Sequence, residues 1–422
     1  MIETPRPTGS HLPSLFLTLI SGFGVLAGLL GLLLFGLASL GRLIQGNMVL
    51  AWAAVFVTLL NLPALIYAAP RAFGRPSPRW EVKDGWRLAS IALGFWVVDL
   101  AAASLLTIHP NGATQVLLPL LSLVAVGVPI WWLIELGRRG LHTTPLRTWG
   151  TVTTSLMGTV PLVIIVELIG FVILGIFILI WLVGQSPDLL AQIQQLAQSI
   201  ADGNVGPDAL LSTLQPYLQQ PGVILAGLLV LAVITPLLEE FMKPLALWFI
   251  PGRRITEAEG FTLGLVAGGI FALLETLGSL SSLSQRADLW LALVLTRTGT
   301  GLLHITCSGL TGWGLAAAWQ HKRYWKLLGL YLLAAAIHGT WNFLAQTISL
   351  EGLLPAGSPL GFIGMAAPFI MVVMAVVIFA VLVLVNRRLR SRQPAETPPA
   401  PVLVMPAAPV VEMQPPAPPV EE

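Results

Sequence analysis

Long apolar runs broken by short polar stretches set the pattern of this chain. The runs lie near 14–40, 48–70, 88–106, 114–137, 152–184, 222–250, 260–282, 289–320, 326–348 and 360–386. Each is about the 20 residues that a helix needs to cross the hydrocarbon of a bilayer. The pattern predicts an all-α polytopic membrane protein with about ten transmembrane helices. Lysine and arginine collect after alternate runs. Arg71, Arg75, Arg79, Lys83 and Arg87 follow the second, Arg138, Arg139 and Arg147 the fourth, and Arg253 and Arg254 the sixth; Lys322, Arg323 and Lys326 follow the eighth, and Arg387, Arg388, Arg390 and Arg392 the tenth. Basic loops stay on the cytoplasmic side, so both termini are expected there, in a cell membrane.

Three segments depart from the pattern. Between 185 and 221, Leu189, Leu190, Ile193, Leu196 and Ile200 recur at near-helical spacing, and after a Gly-Asn-Val-Gly-Pro break so do Leu210, Leu211, Leu214 and Leu218. This loop has no basic residue and predicts two short amphipathic helices on the outer face. Residues 393–422 are mostly Pro, Ala, Val and Glu, a composition that builds no core and predicts a disordered cytoplasmic tail. The first run is as long as a spanning helix and is followed by no small-residue cleavage site, which argues against a removed signal peptide. The expected divisions are five helices over 1–184, the outer loop 185–221, a four-helix core over 222–348, the last helix and its basic flank over 349–392, and the tail.

Composition narrows the function. With 55% apolar and 10% charged residues the chain is neither a soluble domain nor a disordered one. A net charge of +2, with its cations in loops, speaks against a nucleic-acid partner. One cysteine, Cys307, excludes an internal disulfide and a cysteine-rich metal site.

Against this background the ionisable residues inside the runs stand out, because charge in hydrocarbon is costly and marks function. Glu239, Glu240 and Lys243 share one run; on a helix the lysine lies i,i+4 and i,i+3 from the two carboxylates and can bridge them. Glu275, His304 and His338 sit in the next three runs. Counted from the cytoplasmic helix ends, all lie at a depth of roughly 17–24 Å at 1.5 Å per residue, so four consecutive helices can close around one polar site. His304 and His338 are the histidines of the six that fall inside spans. Imidazoles with carboxylates are the groups that bind a divalent metal such as zinc, or orient and deprotonate a water.

Neighbouring residues extend the site. Arg297, Thr300, His304 and Ser308 share one helical face, as do His338 and Asn342 on the next helix. Asn342 could equally bridge two helices, and the glycines 260, 264, 268 and 269 are read as packing positions. Asp99 and Glu167 are intramembrane acids at similar depth, open to roles as site partners, structural hydrogen bonds or a proton path. Pro236 and Pro244 bracket the glutamate pair, and a kink there would free a backbone carbonyl.

The series Glu239-Glu240-Phe-Met-Lys243, Phe271-x-x-x-Glu275, Arg297 with His304, and His338-Gly-Thr-Trp341-Asn342 resembles the PrsW family of intramembrane proteases, within the superfamily that includes CAAX-prenyl proteases and bacteriocin-immunity proteins. The likeness covers about 220–350. It implies a glutamate-dependent protease that cuts a membrane-anchored protein, in the best-known members an anti-sigma factor. By resemblance Glu239 and Glu240 form the acidic pair that activates water, Lys243 holds it, and Glu275, His304 and His338 complete the site, with the last three as possible metal ligands and Arg297 and Asn342 in support. Thr300 stands where CAAX-type relatives often carry phenylalanine. Two other readings use the same groups: a proton- or cation-coupled transporter, against which the lack of an internal repeat counts, and a non-catalytic immunity-type protein.

Overall fold

The computed structural model describes residues 12–40, 47–78, 85–108, 114–186, 188–202, 215–217, 219–249, 255–282, 289–350 and 357–392. They form helices and, among themselves, no strand. In chain order these are α1 (Leu12–Leu40), α2 (Asn47–Ala72), α3 (Gly85–Ile108), α4 (Thr114–Gly137), α5 (Pro145–Thr154), α6 (Val160–Gln185), α7 (Asp188–Ala201), α8 (Pro221–Leu229), α9 (Thr235–Met242), α10 (Glu257–Ser282), α11 (Trp290–His321), α12 (Tyr324–Ser349) and α13 (Pro359–Arg390). Nine spans among the described residues are long and apolar enough to cross a membrane, so the chain is an integral, all-α membrane protein. α7 is the first of the amphipathic helices expected after residue 185, its Leu189 buried with Leu182 and Val223. Most of the second expected amphipathic stretch and the whole tail lie outside the described residues.

The eighth expected span exists as the 32-residue α11, yet its composition is too polar for it to be counted with the nine. Burial explains this: every residue from Thr300 to Ala318 is buried, so the helix meets other helices where an outer span would meet lipid. Its closest partner is α10. Gly260, Gly264 and Gly268 recur every fourth residue, and a Cβ on each would run into the carbonyl oxygen of Gly312, Ser308 or His304 respectively. Glycine alone lets the two backbones approach that closely. This contact sets His304 beside the face of α10 that carries Phe271 and Glu275.

Two spans contain a π-helical turn, Ser155–Thr159 between α5 and α6 and Val230–Ile234 between α8 and α9. Each is followed two residues later by a proline, Pro161 or Pro236. A proline supplies no N–H for an i→i−4 bond, and the widened turn absorbs the loss. In the second turn the Ala232 carbonyl faces Gly339 of α12, where a Cβ would collide with it. α12 binds this irregular stretch through Tyr331 Oη, which donates to the Leu237 carbonyl at 2.9 Å, and Asn342 Nδ2, which donates to the Leu231 carbonyl at 3.1 Å. After α9 the chain tightens into the 3-10 turn Lys243–Phe249, beginning where Pro244 interrupts the helix.

Gly268→Ala is expected to destabilise the protein by about 1–3 kcal/mol, the usual cost of overpacking. Gly170→Ala, whose Cβ would meet nothing within 4 Å, is expected to be neutral or slightly stabilising. Thermal melts of both variants in one detergent check the contrast, and equal melting temperatures would contradict the close packing of α10 on α11.

Candidate functional site

Lys243 lies at the junction of α9 and its 3-10 extension, and its side chain is 1% exposed. Its Nζ is 2.7 Å from Glu239 Oε2, and it donates to Glu240 Oε1 at 2.8 Å and to His304 Nδ1 at 2.8 Å. The Phe271 ring face closes the remaining side, with its centroid 4.2 Å from Nζ. A buried ammonium thus has two hydrogen-bond acceptors, a second carboxylate in ion-pair contact and one aromatic face, the compensation that a charge needs away from water.

The partners of each imidazole assign its tautomer. Nδ1 of His304 accepts from an ammonium, which can only donate, so the ring proton sits on Nε2 and is donated to Glu275 Oε2 at 2.9 Å. Glu275 is held in turn by Arg297 at 3.0 Å, and Arg297 also donates to Ser279 Oγ at 2.9 Å. His338 Nδ1 lies 3.0 Å from Glu240 Oε1 and donates to that carboxylate, leaving Nε2 with its lone pair 4.0 Å from Glu239 Oε2. The two imidazoles pack edge to face, with ring centroids 4.8 Å apart.

Residues expected from sequence to share a depth therefore meet in one bonded cluster drawn from α9, α10, α11 and α12. Asn342 is placed elsewhere: its side-chain amide donates to the Leu231 carbonyl and holds the π-helical turn. Glu275, an expected metal ligand, meets the outer nitrogen of His304. The groups whose donor atoms converge within 4.8 Å of one another are Glu239, Glu240, His304 and His338. Glu167 lies on α6, which packs against α9; it is half-buried, and its buried Oε1 has no hydrogen-bond partner. Asp99 is buried on α3 with Oδ2 unpartnered. Tyr331 and Gly339 escaped the sequence reading; a tyrosine seven residues before His338 and a glycine directly after it were the available signals.

Two imidazoles and two carboxylates make a donor set suited to a divalent metal such as zinc. The buried Glu240 Oε2, which has no hydrogen-bond partner, is an acceptor oriented to receive a cation or a donor. By chemistry the group fits a metal, although Lys243 already engages three of its atoms. The same arrangement can bind and polarise a water.

Comparison with known proteins bears on the same residues. The family model described as PrsW family intramembrane metalloprotease matches residues 166–411, more than half of the chain and every residue of the cluster. No curated protein and no solved structure matches the chain. With its buried glutamate, lysine and histidine side chains inside the matched region, the chain belongs to the PrsW family of intramembrane metalloproteases.

Proposed function

We propose that the protein is a glutamate-dependent intramembrane protease that hydrolyses a peptide bond in a membrane-anchored protein, such as an anti-sigma factor, from a cell membrane with both termini in the cytoplasm. The observation that carries this reading is the dry assembly of Glu239, Glu240, Lys243, His304 and His338 on four packed helices of a protease-family chain.

Different bonding divides the labour of the two glutamates. Glu240 is 0% exposed and its Oε1 accepts from both Lys243 and His338, so it orients those side chains. Glu239, 5% exposed, meets one donor and faces the lone pair of His338 Nε2. Glu239 is the better placed to take a proton from an attacking water and to return it to the departing amine. His338 Nε2 accepts a hydrogen bond from that water and aims it. His304, fixed through Glu275 and Arg297, keeps Lys243 in line, and Lys243 offers the nearest positive charge to the oxyanion that forms on the scissile carbonyl. A divalent metal held by Glu239, Glu240, His304 and His338 would polarise the carbonyl and acidify the water.

Cleavage is measured in proteoliposomes against a panel of single-pass membrane proteins. Glu239→Gln is expected to lower kcat by about 10²–10⁴-fold, as loss of a general base does, and to lower the melting temperature less than Glu240→Gln does. Glu240→Gln is expected to lose cleavage and stability together, because Lys243 and His338 keep a weaker acceptor. Full cleavage by Glu239→Gln would sink the assignment of the base.

Arg297→Gln touches none of the four converging residues and acts through Glu275 and His304. Cleavage is expected to fall by about 10–100-fold, the usual effect of losing an outer partner of a site residue. A chelator is expected to suppress wild-type cleavage and added zinc to restore it; cleavage indifferent to both would remove the metal from the reading.

A further inference from the structure

The cation requirement of the cluster is already met by Lys243. Glu239, Glu240, His304 and His338 could hold a metal together, and an oxygen or nitrogen of three of them, Glu239 Oε2, Glu240 Oε1 and His304 Nδ1, lies within 2.8 Å of Lys243 Nζ. A zinc-like ion bonds such donors at roughly 2.0–2.2 Å. An ion sharing these atoms with the ammonium would bring two positive charges into contact in a site where every one of the four ligand side chains is buried. Phe271 covers the ammonium on its fourth side, so this is a complete cation seat.

We infer that Lys243 is a tethered competitor for the metal position: its ammonium and a divalent ion occupy the Glu239–Glu240–His304–His338 group alternately. The lysine lends the empty group its counter-charge and sets how much free metal is needed to load it. Its ammonium sits at the end of a flexible four-carbon stem. When metal enters, the ammonium leaves Glu239, Glu240 and His304; when metal departs, it returns, so the two carboxylates are never left buried together without a cation. The inference concerns which cation sits in the group and holds whatever the group hydrolyses.

The test is cobalt(II) titration of the full-length protein in detergent, followed by the visible absorption bands of tetrahedral cobalt. Wild type, Lys243→Met and Lys243→Gln are compared, with Lys243→Met/His304→Ala as the check on the site. Both single variants are expected to bind one equivalent at least about tenfold more tightly than the wild type, and the double variant to lose the bands, as expected where a competing ligand-bound cation is removed and an imidazole ligand then lost. Cobalt is also expected to raise the melting temperature of Lys243→Met more than that of the wild type, since the metal there replaces a missing charge. Lys243→Gln retains a hydrogen-bond donor and keeps the comparison open should the methionine variant misfold. Wild type binding one equivalent as tightly as either variant would overturn competition, and absence of cobalt binding in all the proteins would overturn the metal position itself. Neither result depends on cleavage, so failure here is distinct from failure of the protease reading.

Discussion

The contact on which the site depends is the buried ion pair network around Lys243. One ammonium holds both members of an adjacent glutamate pair and one imidazole from another helix. Breaking a buried pair by removing one partner costs about 3–5 kcal/mol, because the other charge is stranded. Four helices therefore share one electrostatic obligation. If α11 moved away, Lys243 would lose His304; if α12 moved, Glu240 would lose His338.

Such a network needs backbones close enough for short polar side chains to reach one another. The glycine series on α10 supplies that closeness to α11, and Gly339 supplies it between α12 and the π-helical turn before α9. The turn itself follows from Pro236, which leaves the ladder short of a donor, and Tyr331 and Asn342 take up neighbouring carbonyls. In hydrocarbon an irregular backbone survives only when protein groups satisfy it. The same bonds that repair the helix fix the direction in which Glu239 and Glu240 point. Irregularity and active geometry thus share a cause.

Much of this was legible in the sequence because membrane depth is a one-dimensional coordinate. Glu239, Glu240, Glu275, His304 and His338 could be aligned by counting residues from basic loops, and apolar surroundings made each of them conspicuous. The chain could not reveal partners by counting, since side-chain direction depends on helix rotation and crossing. Counting sets Glu275 level with His304 and His338 but does not show that its carboxylate meets the outer nitrogen of His304, and it leaves Asn342 open between the site and a bridge between helices, where it donates to the Leu231 carbonyl more than two turns before Glu239. α11 was legible as a helix, yet its polarity signals burial in protein, a distinction that hydropathy alone does not make. The π-helical turns went unread because a proline inside a run announces a break without stating its form.

Glu167 shows how the outer helices enter the argument. Beyond this residue α6 is largely exposed, with Leu168, Phe177 and Ile180 each more than half open, as expected of a surface that meets lipid. Glu167 is half-buried among them, and its buried Oε1 has no hydrogen-bond partner. This carboxyl therefore lies on a helix packed against the one that carries Glu239 and Glu240, while Lys243 is engaged with that pair and Arg297 with Glu275. Charge in a membrane interior must be balanced locally, and the two adjacent carboxylates meet that demand differently: Glu240 Oε1 accepts from both Lys243 and His338, while Glu239 has the Lys243 ammonium beside its Oε2. Two neighbours in sequence are thus held unequally because they face different helices.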